Sequence, residues 1–375
     1  MLQRLFVLFA GPSLLAAAPA RADDWPEFRG PTGQGIVRDG SLPVEWSRTK
    51  NVAWTQQIPG RGWSSPVVAD GRIYLTTAVP VPGSRTNDQS LAALCLEART
   101  GKVVWEREVF RQDGAKAPRP HRKNTHASPT PLVHDGRLYV HFGHQGTACL
   151  DPAGKVLWRN TSLKYVPIHG NGGTPILVES ALVFSCDGGD TAFVVALDRN
   201  TGRVLWKTGR KTEAFKKFSF STPLLITVKG QQQVISPGSN MVGAYDPETG
   251  RELWRVRYTG YSVIPRPVYG NGLVFVCTGF DPPPSLLAIR PGGQGDVTGT
   301  NVAWSTRKAV PLTPSLLLAG DDLYMVSDTG VASCLDARTG KVQWQQRVGG
   351  NYSASPLYAD GKVYFQAEDG TAVVR

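Results

Sequence analysis

Sulfur is scarce in this chain: 375 residues carry only 3 methionines and 5 cysteines. An odd number of cysteines cannot close a full disulfide framework. Cys95, Cys149 and Cys334 share one position of a repeat that alanine fills elsewhere, so they read as buried structural thiols. Cys186 and Cys277 fall on equivalent strands two units apart and are not expected to meet. No apolar run approaches the ~20 residues of a membrane span. Gly-x-Ser-x-Gly, His-Glu-x-x-His and a dinucleotide fingerprint ahead of a helix are also missing. Hydrolase, zinc-protease and nicotinamide chemistries therefore have no motif to rest on. Acidic residues are outnumbered, 30 against 41 Lys and Arg, for a net charge of +11.

Such a charge would raise nucleic acid as a partner in a cytosolic protein. The N-terminus argues against that compartment. Met1–Arg4 is a short cationic start, Leu5–Ala18 is apolar, and Ala20-Arg21-Ala22 is a small-x-small cleavage site. Residues 1–22 are read as a secretory signal peptide, which makes the mature chain periplasmic or secreted. No Cys follows the cleavage site, so a lipid anchor is not expected. The densest basic cluster is Lys207, Arg210, Lys211, Lys216 and Lys217. It lacks the regular aromatic interleaving of a nucleic-acid groove, and reads as a solvated basic surface.

What the chain has in abundance is repetition. Ala196-Leu197-Asp198-Arg199-Asn200-Thr201-Gly202-Arg203-Val204-Leu205-Trp206 is a strand, a Thr-Gly turn and a second strand ending in Trp. Versions of it end at Trp105, Trp158, Trp254 and Trp344, and a degenerate copy ends at Trp304, its turn swollen by Pro291–Thr300. A second signature alternates with it, as in Ser65–Leu75: an apolar strand, an Asp-Gly turn that supplies positive φ, and an alternating strand. The two together make a four-stranded antiparallel unit, A to D, and such units repeated around an axis make an all-β fold, the β-propeller. The large apolar Trp is expected to fill the gap between blades. There are seven A–B starts and seven Trp-ended strands, counting Asn51–Trp54, while the last unit stops after strand C. The N-terminal strand is therefore expected to close the last of seven blades. Residues 23–50 are read as an extended segment and 51–375 as a single propeller domain.

This repeat resembles the PQQ-type propeller repeat of quinoprotein dehydrogenases and of the outer-membrane assembly lipoprotein of the Bam complex. Asp24-Trp25-Pro26-Glu27-Phe28-Arg29-Gly30-Pro31 and His141-Phe142-Gly143-His144-Gln145-Gly146 resemble a secreted bacterial subgroup of these proteins. That subgroup implies eight blades, so the chain is either a seven-bladed variant or an eight-bladed one truncated at its C-terminus. The resemblance to quinoproteins implies one PQQ on the axis with a Ca²⁺ held by Glu, Asn and Asp side chains. Those enzymes carry an adjacent Cys-Cys pair, which this chain lacks.

The propeller rule sends the B–C and D–A connections to one face. Ala78–Ser90, Val109–Ala127 and Gly279–Pro284 all land there. Trp63, His126, His144, His169, Asn171, Phe220, Tyr261 and Tyr352 precede or follow strands at that mouth and form the candidate ligand-binding set. Three histidines in mouth loops could hold a metal, or could fix loops by hydrogen bonding; their spacing matches no ligand signature. The function expected is a monomeric, non-catalytic scaffold binding a protein, glycan or small-molecule ligand, without a cofactor. The rival is a PQQ-dependent oxidoreductase.

Overall fold

Thr-Gly turns and tryptophans meet across blade boundaries, and that contact organises the structure, a computed structural model. It describes residues 24–38, 40 and 42–375; the signal peptide expected over 1–22 lies outside them. Trp105 Nε1 donates to Pro152 O at 2.9 Å, Trp158 to Arg199 O at 3.0 Å, Trp206 to Pro247 O at 2.9 Å and Trp304 to Ala337 O at 3.1 Å. Each acceptor lies in the C–D turn of the following blade. The turn glycine lies flat against the indole: a Cβ on Gly202 would come within 2.4 Å of the Trp158 ring, and Gly202 has φ +71°. Turn conformation and close approach thus both demand glycine.

Seven antiparallel sheets follow one another in chain order. Blade one comprises Val67–Ala69, Arg72–Pro80, Gln89–Glu97 and Val103–Gln112. Its A–B turn is the expected hairpin, with Asp70 at φ 50° and Gly71 at φ 72°. The D strands of the later blades end near residues 160, 209, 257, 306 and 347. The fold is the all-β propeller that the repeats predict. Strands A of neighbouring blades adjoin around the axis. The cores lie within and between blades: Leu138 and Val140 of blade two pack with Val67 and Cys95 of blade one. All five cysteines are buried and free. Among the described residues, no helix is long and apolar enough to cross a membrane.

Two blades depart from four strands. In blade five the swollen turn lends Gly295–Asp296 to blade four as a fifth, parallel strand beside Glu252–Arg257. The last blade has three strands, Leu357–Ala359, Lys362–Gln366 and Ala372–Val374. Residues 51–57 form no strand. Trp54 nevertheless occupies the ring position foreseen for it: its Nε1 donates to Ala98 O at 3.0 Å, and it covers Gly101 of blade one. The fourth strand expected to close the last blade does not form; Trp54 docks on blade one by its indole, without a backbone ladder.

The segment before it enters the central channel. Trp25 bridges Val68, Pro26 O accepts from Val133 N, and Ile36 bridges Tyr358. These partners are strands A of blades one, two and seven. Above this plug the blades are tied by a hydroxyl relay at the residues entering strand A. Ser65 N donates to Thr130 Oγ1, Thr130 N to Thr174 Oγ1, and Thr174 N to Thr222 Oγ1. Arg266 N donates to Ser315 Oγ and Ser315 N to Ser355 Oγ. In blade five an arginine thus stands where six blades place Ser or Thr.

Candidate functional site

The mouth is built from loops that the D strands release. Loop 113–131 carries His121, Lys123 and His126; loop 161–175 carries His169 and Asn171; loop 210–223 carries Phe215 through Phe220; loop 258–267 carries Tyr261. His121 N donates to His169 O at 3.0 Å, tying the first two loops. Lys123 Nζ reaches back to Glu368 Oε1 of blade seven at 2.7 Å.

Four of these loops, with the B–C loop that holds Phe280, place aromatic rings in one arc, edge to face except for the tilted Tyr261–Phe280 pair. His121 and His169 lie 5.6 Å apart, His169 and Phe218 5.3 Å, Phe218 and Tyr261 5.6 Å, and Tyr261 and Phe280 6.5 Å. Contacts of this geometry stabilise beyond the area they bury. Lys216 lies 4.2 Å over the Tyr261 ring and donates to its hydroxyl at 2.9 Å. That hydrogen bond raises the Lys216 pKa and keeps the ammonium charged. Phe215, the preceding residue, is 96% exposed.

The histidines divide into two groups. His144, in the turn Gly143–Gln145, faces His126; His169 faces His121. Burial, then the nearby His126, hold the His144 imidazole down at about 4. Burial likewise lowers His126 and, with His121 and Lys216, His169. The shifts favour the neutral form of His126, His144 and His169, and the permanent positive charge of the mouth comes from its Lys and Arg side chains. Among the described residues, no three His, Cys, Asp or Glu side chains come together as metal ligands.

The remaining members of the predicted set occupy different environments. Trp63 is 59% exposed, and its N–H donates to Ala127 O. Phe220 is half-buried, 6.1 Å from Phe218. Asn171 is buried, accepts a hydrogen bond from the Tyr165 hydroxyl at 3.2 Å and packs on Gly143, where a Cβ would overlap it. Tyr352 does not line the mouth. It is 1% exposed and packs with Leu317, Val326 and Phe365, because its N–H is drawn inward to Asp328 O. Arg210, read as part of a solvated cluster, is also buried. It pairs with Asp187 at 2.7 Å and donates to Ser185 Oγ, Ser236 O and Ser236 Oγ, joining blades three and four beneath the arc. Burial raises the Asp187 pKa against the pull of Arg210. Sequence reasoning also missed the arc itself. Its one visible signal was that each of these loops holds a ring shortly before strand A.

Beside the arc, Asn171, Asp187 and Phe220 border a cavity of about 10 Å³, room for about one water. Asp187 accepts from Arg210 at Oδ1, while its Oδ2 is buried without a partner among the described residues. A tricyclic quinone is larger than this cavity. A larger cavity, about 140 Å³, lies away from the mouth between Gln233, Trp254 and the swollen turn of blade five.

Blades of this pattern, docked by Trp on Gly, define a PQQ-type repeat propeller. A family model described as outer membrane protein assembly factor BamB matches residues 36–185, 92–209, 190–293 and 240–375. The chain belongs to that family. It is 26% identical over 267 residues to BamB of Shewanella oneidensis, covering 65% of this chain and 62% of that protein. It is 26% identical over 252 residues to quinohemoprotein alcohol dehydrogenase ADH IIB of Pseudomonas putida, covering 58% of this chain and 33% of that protein. The matches thus span less than two thirds of either relative. The crystal structure of BamB from Moraxella catarrhalis superposes with a TM-score of 0.57 at 16% identity, over 84% of this chain and 80% of that one, which shows a shared fold.

Proposed function

We propose that this protein is an exported, non-catalytic scaffold that binds a protein partner through the aromatic arc of its mouth. The observation that carries the reading is Phe215. A phenylalanine 96% exposed on a rigid ring, beside Lys216 and Lys217 and a stacked row of rings, has no role in its own fold. Interfaces draw most of their free energy from a few such aromatic and cationic residues. The name of the BamB relatives, an outer membrane protein assembly factor, supports a protein partner and a location outside the cytoplasm. Trp63, His126, His169, Phe220 and Tyr261 would form the rest of the surface, with His144 and Asn171 holding its loops.

The quinohemoprotein relatives favour a second reading, a PQQ-dependent oxidoreductase. One experiment separates the two. The purified chain, carrying a photo-crosslinker at position 215, is incubated with envelope extract of its host. A discrete adduct should form and fall at least about tenfold when Tyr261→Ala and Lys216→Glu are added, as for a loss above 1.4 kcal/mol. An unchanged adduct overturns the proposed surface. Dye reduction with an alcohol, appearing only when PQQ and Ca²⁺ are supplied, would favour the dehydrogenase reading.

A further inference from the structure

Five indoles of the ring, Trp54, Trp105, Trp158, Trp206 and Trp304, lie against the turn glycine of the following blade, each 2.2–2.8 Å from where that glycine's Cβ would stand. Trp254 has no such cover. A Cβ on Gly292 of the swollen turn would meet nothing within 4 Å, and one on Gly293 would meet only Val297 and Asn301 of its own turn. The Trp254 indole turns inward instead, and its Nε1 donates to Gln233 Oε1 at 2.8 Å. Where the other seams have a dock, this one has the cavity of about 140 Å³. Its wall is fixed in advance. Asn301 Nδ2 donates to Arg290 O and Gly292 O, both at 2.9 Å, Val297 N donates to Arg255 O at 2.9 Å, and Asp296 pairs with Arg257 at 2.7 Å. A pocket already held open spares its ligand the cost of ordering it.

Amides dominate the lining. Gln233, 3% exposed, sits at the floor beside Trp254, which occupies its carbonyl oxygen. Gln231, Gln294 and Arg251 stand exposed at the rim, and half-buried Leu253 supplies an apolar wall. Arg251 is the one charged side chain of the lining. The acidic groups nearby are engaged elsewhere: Asp246 accepts from Thr249 N and Oγ1 at 2.9 and 2.8 Å within its own turn, Glu252 pairs with Arg255, and Asp296 pairs with Arg257. Among the described residues, the Arg251 guanidinium therefore has no carboxylate partner. A free guanidinium recognises a carboxylate. Primary amides, with donors and an acceptor each, recognise hydroxyls. A cavity of about 150 Å³ holds one six-membered ring, and a polar lining selects a hydroxylated ring over an aromatic one. We propose that this cavity binds a single uronic-acid ring, a pyranose bearing one carboxylate. Arg251 takes the carboxylate, and Gln231, Gln233 and Gln294 take the hydroxyls. The exposed rim lets the ring's substituents, or the rest of an acidic glycan, lead out to solvent. This site is independent of the mouth and of either reading of its function.

Ligand-observed NMR of the full chain with sodium galacturonate should give a saturable isotherm with a Kd of about 1 mM or tighter, the scale for a ligand of this size. Galactose, which lacks the carboxylate, and acetate, which lacks the ring, should each bind at least about tenfold more weakly. Arg251→Gln, a change at an exposed position, should lose at least about tenfold in affinity for galacturonate with the unfolding midpoint unchanged. In crystals soaked with galacturonate, the ring should lie between Gln233 and Gly293. Acetate binding as tightly as galacturonate reduces the site to a bare charge contact and overturns the proposal. So does galactose binding as tightly, an affinity unchanged in Arg251→Gln, no saturation below about 10 mM, or a ring found at the mouth.

Discussion

At the seam between blades four and five, Trp254 is fully buried and its Nε1 donates to the Gln233 side chain at 2.8 Å, within its own blade. At the seam between blades seven and one, Trp54 is half-buried, reaches the Ala98 carbonyl of the next blade and has no strand beside it. The first seam has an extra strand, Gly295–Asp296, laid along the blade edge; the second is one strand short. Both hold their place in the ring. The comparison shows that a Trp keeps its ring position with either edge: the added strand and swollen turn accompany full burial of Trp254, while Trp54 without its strand stays half-buried, as Trp105, Trp158, Trp304 and Trp344 are in four-stranded blades. An added strand changes the donor's partner; a missing one leaves the dock intact.

The largest effect should come from the covered seam. Trp254→Ala is expected to cost about 3–5 kcal/mol in denaturant unfolding, the range for deleting a buried aromatic. A loss no larger than that of Trp54→Ala would break the comparison. Next comes the open seam. Trp54→Ala should cost about 1–2 kcal/mol, for one hydrogen bond and partial apolar burial. Gly101→Ala should be costly alone, since its Cβ would lie 2.2 Å from the Trp54 ring, and milder once Trp54 is already Ala. Strict additivity of the two changes would mean that the dock does not form. The smallest effect belongs to the strand itself. Asp296 pairs with Arg257 at 2.7 Å in a half-exposed site, so Asp296→Ala should cost less than about 1 kcal/mol. Hydrogen bonds from Thr298, then Arg257, hold the Asp296 pKa down at about 2. Its folded pKa lies below the unfolded value, so its contribution is present above about pH 4 and is lost as pH falls towards 2. A pH profile of unfolding that is identical in the Asp296→Ala variant would discount the pair.

Much of the ring was legible before any coordinates. Trp and Thr-Gly recur at a fixed spacing because each blade must offer an indole to one neighbour and a glycine to the other. The Asp-Gly hairpins and the buried cysteine slot were legible for the same reason: they are local requirements repeated in every unit. The site was legible only as a face. Loop membership placed His169, Phe220 and Tyr261 at the mouth, yet loop membership also nominated Tyr352, which the core claims. Arg210 looked like one of several lysine neighbours, but its carboxylate partner is on another strand of the blade. The swollen turn was plain as an insertion, and its pairing with the previous blade was not.

The amino-acid sequence by itself determined the unit and its number of copies, because alternation, turn glycines and the Trp-to-Gly contact act over a few residues and need no distant partner. Tertiary structure alone decided what fills the axis and which rings meet across the mouth. Arg29 takes its place from the Leu316 carbonyl, and His169 from Phe218. Such contacts between residues far apart in the chain exist only once the circle has closed, and no local pattern encodes them.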